Sequence, residues 1–300
     1  MFGKPDISVS VNLNKNESTW YPILASFNAS NKYNPKSIQR MVNWMDHTIY
    51  RILYPFFDRT FIADSYSCRN EKGTHRAIDR FQAMFRQVSR NNTQTCWVLK
   101  LDIKKFFASI DHDILKQILA KYIPDQDIMW LLEEIIMSFR TPFRNPDDWI
   151  LNQVQDDRPR GLPLGNLTSQ LFVNVYLNEF DQFVKHKLKA SYYIRYADDF
   201  VVLSHDHGEL INQLTTIQGF LKDKLKLTLH PGKVILKTFA SGLDFLGWMN
   251  FPTHKVLRTA TKHRMLRRIK LDLKPQAIQS YLGLLKHGDT YELQKKFLNI

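Results

Sequence analysis

The amino-acid sequence predicts an α+β fold, and three observations carry that expectation. Runs with apolar residues at three- and four-residue spacing mark amphipathic helices, and short β-branched and aromatic runs mark strands. Two of those strands flank a tight turn, as a hairpin requires. The 300 residues, 35.4 kDa, allow one large domain or two modest ones, since single cores stop growing at roughly 250–300 residues.

Residues 1–45 are polar and rich in Asn, Ser and Lys, which predicts loops or loosely held strands. Over 48–61, Ile49, Ile52, Leu53, Phe56 and Phe57 recur at helical spacing, so a helix broken near Pro55 is expected. Residues 76–88 repeat the pattern with Ala77, Ile78, Phe81, Met84 and Phe85. Residues 96–103 read as a buried strand, after which Asp111 caps a helix through 122. A helix over 124–140 and a long loop over 141–160, dense in Pro, Asn and Asp, come next. Gly161 to Gly165 form a turn, and Thr168 or Ser169 caps a long helix to 189. Residues 192–196 and 200–204 enclose Ala197-Asp198-Asp199 as a hairpin with carboxylates at its tip. A helix over 209–225 and short strands at 226–229, 233–239 and 244–250 complete the first domain, 1–250. From Lys255 the texture turns basic and helical, which marks a second small domain, 251–300.

Composition narrows the function. Hydrophobic residues make up 44% and charged residues 24%, which excludes a disordered tail or a membrane bundle. No apolar run approaches the roughly 20 residues that span a bilayer, and Gly3-Lys4-Pro5-Asp6 lacks the apolar core of a signal peptide. A soluble, cytoplasmic protein is therefore expected. Two cysteines, Cys68 and Cys96, make neither a disulfide framework nor a four-cysteine zinc site. A net charge of +13 favours polyanions through counterion release, so nucleic acid is the expected partner.

Two acidic sites lie where a strand meets a turn: Asp102 after Trp97 to Leu101, and Asp198-Asp199 in the hairpin. If the strands are neighbours, the carboxylates converge. Hard divalent cations take such oxygen ligands together with substrate phosphates. Two of them roughly 3.5–4 Å apart can drive an in-line phosphoryl displacement. A solvated turn is the competing reading of an isolated Asp-Asp pair.

These residues resemble those of reverse transcriptases. Tyr196-Ala197-Asp198-Asp199 matches the Tyr-x-Asp-Asp hairpin of that family, and Leu101 to Phe107 matches its first metal-binding strand. Asp64 to Arg69 with Gly73-Thr74-His75 resembles the fingers, and Phe245-Leu246-Gly247-Trp248 the primer-grip turn. The motifs keep register from about Tyr50 to the C-terminus. Gly161-Leu162-Pro163-Leu164-Gly165-Asn166-Leu167-Thr168-Ser169-Gln170 carries an aliphatic residue before the second glycine. This resembles the enzymes of diversity-generating retroelements. The resemblance implies a right-hand polymerase with fingers and palm, an antiparallel sheet with packed helices, and a small helical thumb. It also implies error-prone copying of template RNA with mistakes at adenines, dNTP substrates, and a small basic accessory protein as partner.

Residue by residue, the resemblance makes Asp102, Asp198 and Asp199 the ligands of two Mg²⁺ (or Mn²⁺) ions, with the Ile103 carbonyl as a further ligand. Phe107 matches the ring that excludes a 2′-hydroxyl, although a core aromatic beside Phe106 is the alternative. Leu164, with Gly165 and Gln170, would contact the nucleotide, and an aliphatic Leu164 cannot fix a base by hydrogen bonding. Packing is its competing role. Lys233 matches a proton donor to pyrophosphate, or else a phosphate contact or an exposed charge. Arg69 would lie near the template or nucleotide. Seven Lys and Arg fall in the sixteen residues 255–270, among them Arg258, Lys262, Arg264, Arg267 and Arg268, and would grip an RNA/DNA hybrid by its backbone.

The fingers β-hairpin of the family has no counterpart before His47. The segment 1–45 therefore reads as diverged or truncated fingers, with Lys36 and Arg40 as candidate replacements. Nothing past the thumb reads as an RNase H, maturase or nuclease domain. A prokaryotic or phage retroelement component is expected. A host-defence or retron reverse transcriptase, and a nucleic-acid-binding protein with impaired catalysis, remain the alternatives.

Overall fold

The computed structural model describes residues 35–138, 160–163, 165–271 and 275–298, and the chain divides into two units, 1–46 and 47–300. The first described element is helix α1, Pro35–Asp58. Residues 35–45 are therefore helical rather than loop or strand. The signal lay in Ile38, Met41, Val42 and Met45 behind Pro35, a residue suited to a first helical turn. Nor does Pro55 break α1. It sits in the last turn with its ring exposed, so the one lost hydrogen bond is at the Arg51 carbonyl, on an exposed turn that water reaches.

Helix α2, Thr74–Val88, buries Ala77, Ile78, Phe81, Met84, Phe85 and Val88 on the predicted face. Strand β1, Trp97–Asp102, leads through Lys105, left-handed at φ 47°, into the short helix α3, Phe106–Ser109. Helix α4, His112–Ala120, is capped by Asp111, whose carboxylate accepts from the Asp113 and Ile114 N–H groups, as its sequence position predicts. Helix α5 spans Gln126–Ser138, and the loop expected over 141–160 lies outside the described residues apart from Arg160. Helix α6, Leu167–Gln182, starts after Asn166, whose side chain makes no capping hydrogen bond. Thr168 and Ser169 are buried in its first turn, so neither is the cap. A π-helical turn, Phe183–Lys187, extends it toward the predicted end.

Strands β2, Tyr193–Tyr196, and β3, Asp199–Ser204, form the hairpin, and helix α7, His207–Leu225, follows. Residues 226–229 are not a strand: only an isolated bridge joins Ile103 to Leu229. Strand β4, Ile235–Thr238, completes an antiparallel sheet in the order β2-β3-β1-β4. The strand expected at 244–250 is itself a hairpin, β5 (Leu243–Phe245) and β6 (Trp248–Asn250). Its two-residue turn, Leu246 at φ 54° and Gly247 at φ 84°, has the positive dihedrals that join twisted strands tightly. Strand β7, Lys255–Leu257, pairs with β6, so the boundary expected at 250/251 falls inside this three-stranded sheet. Helices α8 (Thr259–Leu271), α9 (Pro275–Leu285) and α10 (Tyr291–Leu298) follow.

Strand alternation sorts the core into layers. Leu99, Leu101, Phe200 and Val202 face α6 and α7, packing with Tyr176, Phe180, Ile217 and Leu221. Val98, Val201, Leu203 and Ile194 face α2 and pack with Phe81, Phe85 and Phe239. A smaller core joins Trp248, Leu257, Met265, Leu285 and Leu293 to Ile78 of α2. Among the described residues, no helix is long and apolar enough to cross a membrane.

Candidate active site

The sheet register builds the site. Strands β1 and β3 are antiparallel with Asp102 directly opposite Asp199, both on the face that carries Val98 and Val201. Directly paired residues in such a ladder lie roughly 4.5–5.5 Å apart at Cα, and like charges so placed are destabilising. Asp198 stands beside them in a two-residue turn, because Tyr196 pairs with Asp199. That turn holds Ala197 at φ 53°, a left-handed conformation that costs a side-chain-bearing residue about 1–2 kcal/mol. Three carboxylates from two distant stretches thus meet at one end of the sheet.

Two lysines answer the charge. Lys233 donates to Asp102 Oδ2 at 2.8 Å, from the 3₁₀ turn Pro231–Lys233 that follows His230. Lys100 Nζ lies 3.3 Å from Asp199 Oδ1 and donates to the Asp244 carbonyl at 2.9 Å. Asp199 Oδ1 is buried and accepts no hydrogen bond among the described residues. Burial raises the Asp198 carboxyl above the usual range, and the charges of Asp102 and Asp199 add to this against a backbone hydrogen bond. Burial likewise raises Asp199, with Lys100 opposing. The hydrogen bond to Asp102 raises Lys233.

Among the described residues, no three His, Cys, Asp or Glu side chains are gathered closely enough to hold a metal ion. The donor set nevertheless fits a hard cation: all three groups are carboxylates, and the buried Asp199 Oδ1 is faced by the Lys100 ammonium at 3.3 Å without a hydrogen bond of good geometry.

Other residues that the sequence nominates divide into two groups. Asp102 O accepts from the His230 N–H at 2.8 Å and Lys104 N–H donates to Thr228 O at 2.9 Å. Backbone alternation therefore turns the Ile103 carbonyl toward the β3 edge, where the hairpin tip lies. Phe107 is half-buried, edge-on to Phe106 with ring centroids 5.6 Å apart, and its carbonyl accepts the Leu162 N–H at 2.9 Å. Gly161, at φ 91°, brings this segment so close that an added Cβ would lie 3.4 Å from Ala108 Cα. Gly165 is exposed at φ 100°, Gln170 is half-buried in the first turn of α6, and Leu164 lies outside the described residues.

Arg69 is bound into the fold. Its side chain is 7% exposed, and its guanidinium donates to Asp58 Oδ1 (2.7 Å), Asp58 O (3.1 Å), Ile62 O (2.7 Å) and Ser65 O (3.0 Å). Four of its five N–H groups are committed to the fold, where they tie the end of α1 to the 62–65 segment. In the C-terminal region Arg258 pairs with Asp244 at 3.2 Å, while Lys262, Arg264, Arg267 and Arg268 are exposed on α8.

Sequence reasoning missed Lys100, although a lysine two positions before Asp102 in a buried strand shares its face. It also missed Arg195, which is wholly buried behind the hairpin and bonded to Asp181 of α6 at 2.7 Å.

Comparison with known proteins adds a family. The family model described as reverse transcriptase (RNA-dependent DNA polymerase) matches residues 31–250. Protein YkfC of Escherichia coli (strain K12) is 24% identical over 245 residues, which cover 71% of this chain and 60% of that protein. The Group II intron-encoded protein LtrA of Lactococcus lactis subsp. cremoris is 24% identical over 232 residues, covering 74% and 36%. Of solved structures, apo telomerase from Candida tropicalis aligns over 78% of this chain and 43% of that one, at 13% identity and a TM-score of 0.47. The chain spans only a part of the length of each.

Proposed function

Because the chain belongs to the reverse transcriptase (RNA-dependent DNA polymerase) family, we propose that it copies a template RNA into DNA by nucleotidyl transfer at the Asp102, Asp198 and Asp199 cluster. The observation that carries this reading is the cross-strand pairing of Asp102 with Asp199 beside Asp198, a collection of carboxylates that Lys233 and Lys100 balance in the apo fold and that bound cations would balance during the reaction. Mg²⁺ or Mn²⁺ held by these carboxylates and the Ile103 carbonyl would supply activation of the primer hydroxyl and neutralise charge on the departing pyrophosphate. The chain's own residues do the rest. Phe107 sets the sugar, Leu164, Gly165 and Gln170 bound the nucleotide, and Lys233 leaves Asp102 for the phosphates. Residues up to 250 serve as fingers and palm. The region 251–300 acts as thumb, and Arg258, Lys262, Arg264, Arg267 and Arg268 hold the RNA/DNA hybrid.

The finer reading is a diversity-generating retroelement enzyme, error-prone at template adenines, cytoplasmic, of prokaryotic or phage origin, and served by a small basic accessory protein. It is supported by Leu164 before Gly165 and by the Asn166 to Gln170 segment. Primer extension on RNA with dNTPs tests both levels. Asp198→Ala should lower the rate about a hundredfold or more, the consequence of losing a few kcal/mol of charge stabilisation. Unchanged synthesis by this variant would refute the assignment of the carboxylate cluster, and absence of synthesis by the wild type would refute the polymerase reading. Sequenced product should carry substitutions concentrated at template adenines, and an even error spectrum would refute the retroelement subtype alone.

A further inference from the structure

Among the described residues, a fully satisfied buried polar group lies on the hairpin's α6 side, outside the carboxylate cluster. Arg195 and Asp181 are each 0% exposed. Arg195 Nε donates to Asp181 Oδ1 at 2.8 Å, and one terminal nitrogen donates to Asp181 Oδ2 at 2.7 Å and Ser65 Oγ at 3.0 Å. The other donates to Asn174 Oδ1 at 3.2 Å and to the Ala197 carbonyl at 3.1 Å. Tyr193 OH donates to Asp181 Oδ1 at 2.7 Å. The backbone is fixed as well: Arg195 N–H donates to Asp64 O and Tyr66 N–H to Arg195 O, both at 3.0 Å. All five guanidinium donors therefore have partners, and one of them is the first residue of the turn that holds Asp198.

We infer that Arg195, anchored by Asp181, is a positioning residue that locks the register of β2 and aims the Asp198-Asp199 tip. The inference rests on the reading of that tip as the polymerase centre. A buried ion pair is a poor way to gain stability, because apolar residues of like volume usually do as well. It is an effective way to reject alternatives. A one-residue slip of β2 would carry Arg195 to the opposite face of the sheet, strand the Asp181 carboxylate in the core, and shift the hairpin tip against Asp102. The hydrogen bond to the Ala197 carbonyl acts on the tip directly, since it braces a residue held at φ 53°. Arg195 thus contributes nothing to the basic surface that its charge suggests, and acts on the metal site without touching it.

The test uses the full chain with two readouts: single-nucleotide extension of a primer on poly(rA), and Mn²⁺ titration by electron paramagnetic resonance of the complex with dTTP on a dideoxy-terminated primer. Arg195→Lys keeps a cation beside Asp181 but cannot reach the turn carbonyl and Asn174 as well. It should lower kcat and raise the half-saturating Mn²⁺ concentration, each about tenfold or more, with the KM for template-primer little changed. Ser65→Ala removes one partner of the same guanidinium away from the tip, and should lower thermal stability while leaving kcat and Mn²⁺ binding at wild-type values per folded molecule. Wild-type kcat and Mn²⁺ saturation in folded Arg195→Lys would overturn the inference. If that variant does not fold, the paired swap Arg195→Met with Asp181→Leu is judged by the same two quantities. Inactivity of the wild type would instead overturn the polymerase reading, and full activity of Asp198→Ala would overturn the placement of its centre at that tip, on which the inference stands.

Discussion

A single ring decides what Phe107 is for. It lies five residues after Asp102, half-buried and edge-on to Phe106, and the proposed role is to exclude a ribose hydroxyl. Phe107→Ala should therefore raise the kcat/KM for rGTP relative to dGTP about tenfold or more, the scale on which a pocket discriminates by shape. An unchanged ratio would make the ring a packing residue only. At this scale the sequence was legible where the chemistry is local. Asp102, Asp198 and Asp199 announced themselves because each sits at a strand end among apolar neighbours. Arg69 was not legible, because its partners are the Asp58 carboxylate and three carbonyls of a loop, and no spacing rule reports which carbonyls a fold leaves unsatisfied. Arg195 was hidden for a related reason: a charge in a strand reads as surface until the helix behind it supplies Asp181.

Elements repeat the pattern. The helix that begins after Asp111 was readable because the cap is a local hydrogen bond, made to Asp113 and Ile114 at 3.1 and 3.2 Å. Asp111→Ala should lower the unfolding free energy by about 1 kcal/mol, seen as an earlier denaturant midpoint with unchanged slope. No shift would mean that the cap is dispensable. The β2-β3 hairpin was readable from its alternation and its turn. What escaped was cooperative. Helix α1 continues through Pro55 because only one backbone acceptor on an exposed turn is lost. The 226–229 run stays unpaired except at Leu229 because β1 ends at Asp102 and turns away into α3. Strand β7 appeared only because β6 offered an edge next to the small core around Trp248.

Among the described residues of 47–300, the four-stranded sheet and its helices create one juxtaposition. Helices α6 and α7 support one face of the large sheet and α2 the other, which leaves the Asp102 end as the place where charge collects. The order β2-β3-β1 makes β1 and the hairpin neighbours, though about a hundred residues separate Asp102 from Asp198 in the chain. The sequence implied this adjacency only through a family resemblance; the ladder states it as register. Localised cleavage tests it most directly. With Fe²⁺ in place of Mg²⁺, and ascorbate and peroxide present, hydroxyl radicals cut the backbone beside the bound ion. The account predicts cuts close to residue 102 and close to residues 198–199 in the same molecule, both suppressed by excess Mg²⁺ and by Asp198→Ala. Cleavage at one stretch without the other, or at neither, would contradict a shared metal site.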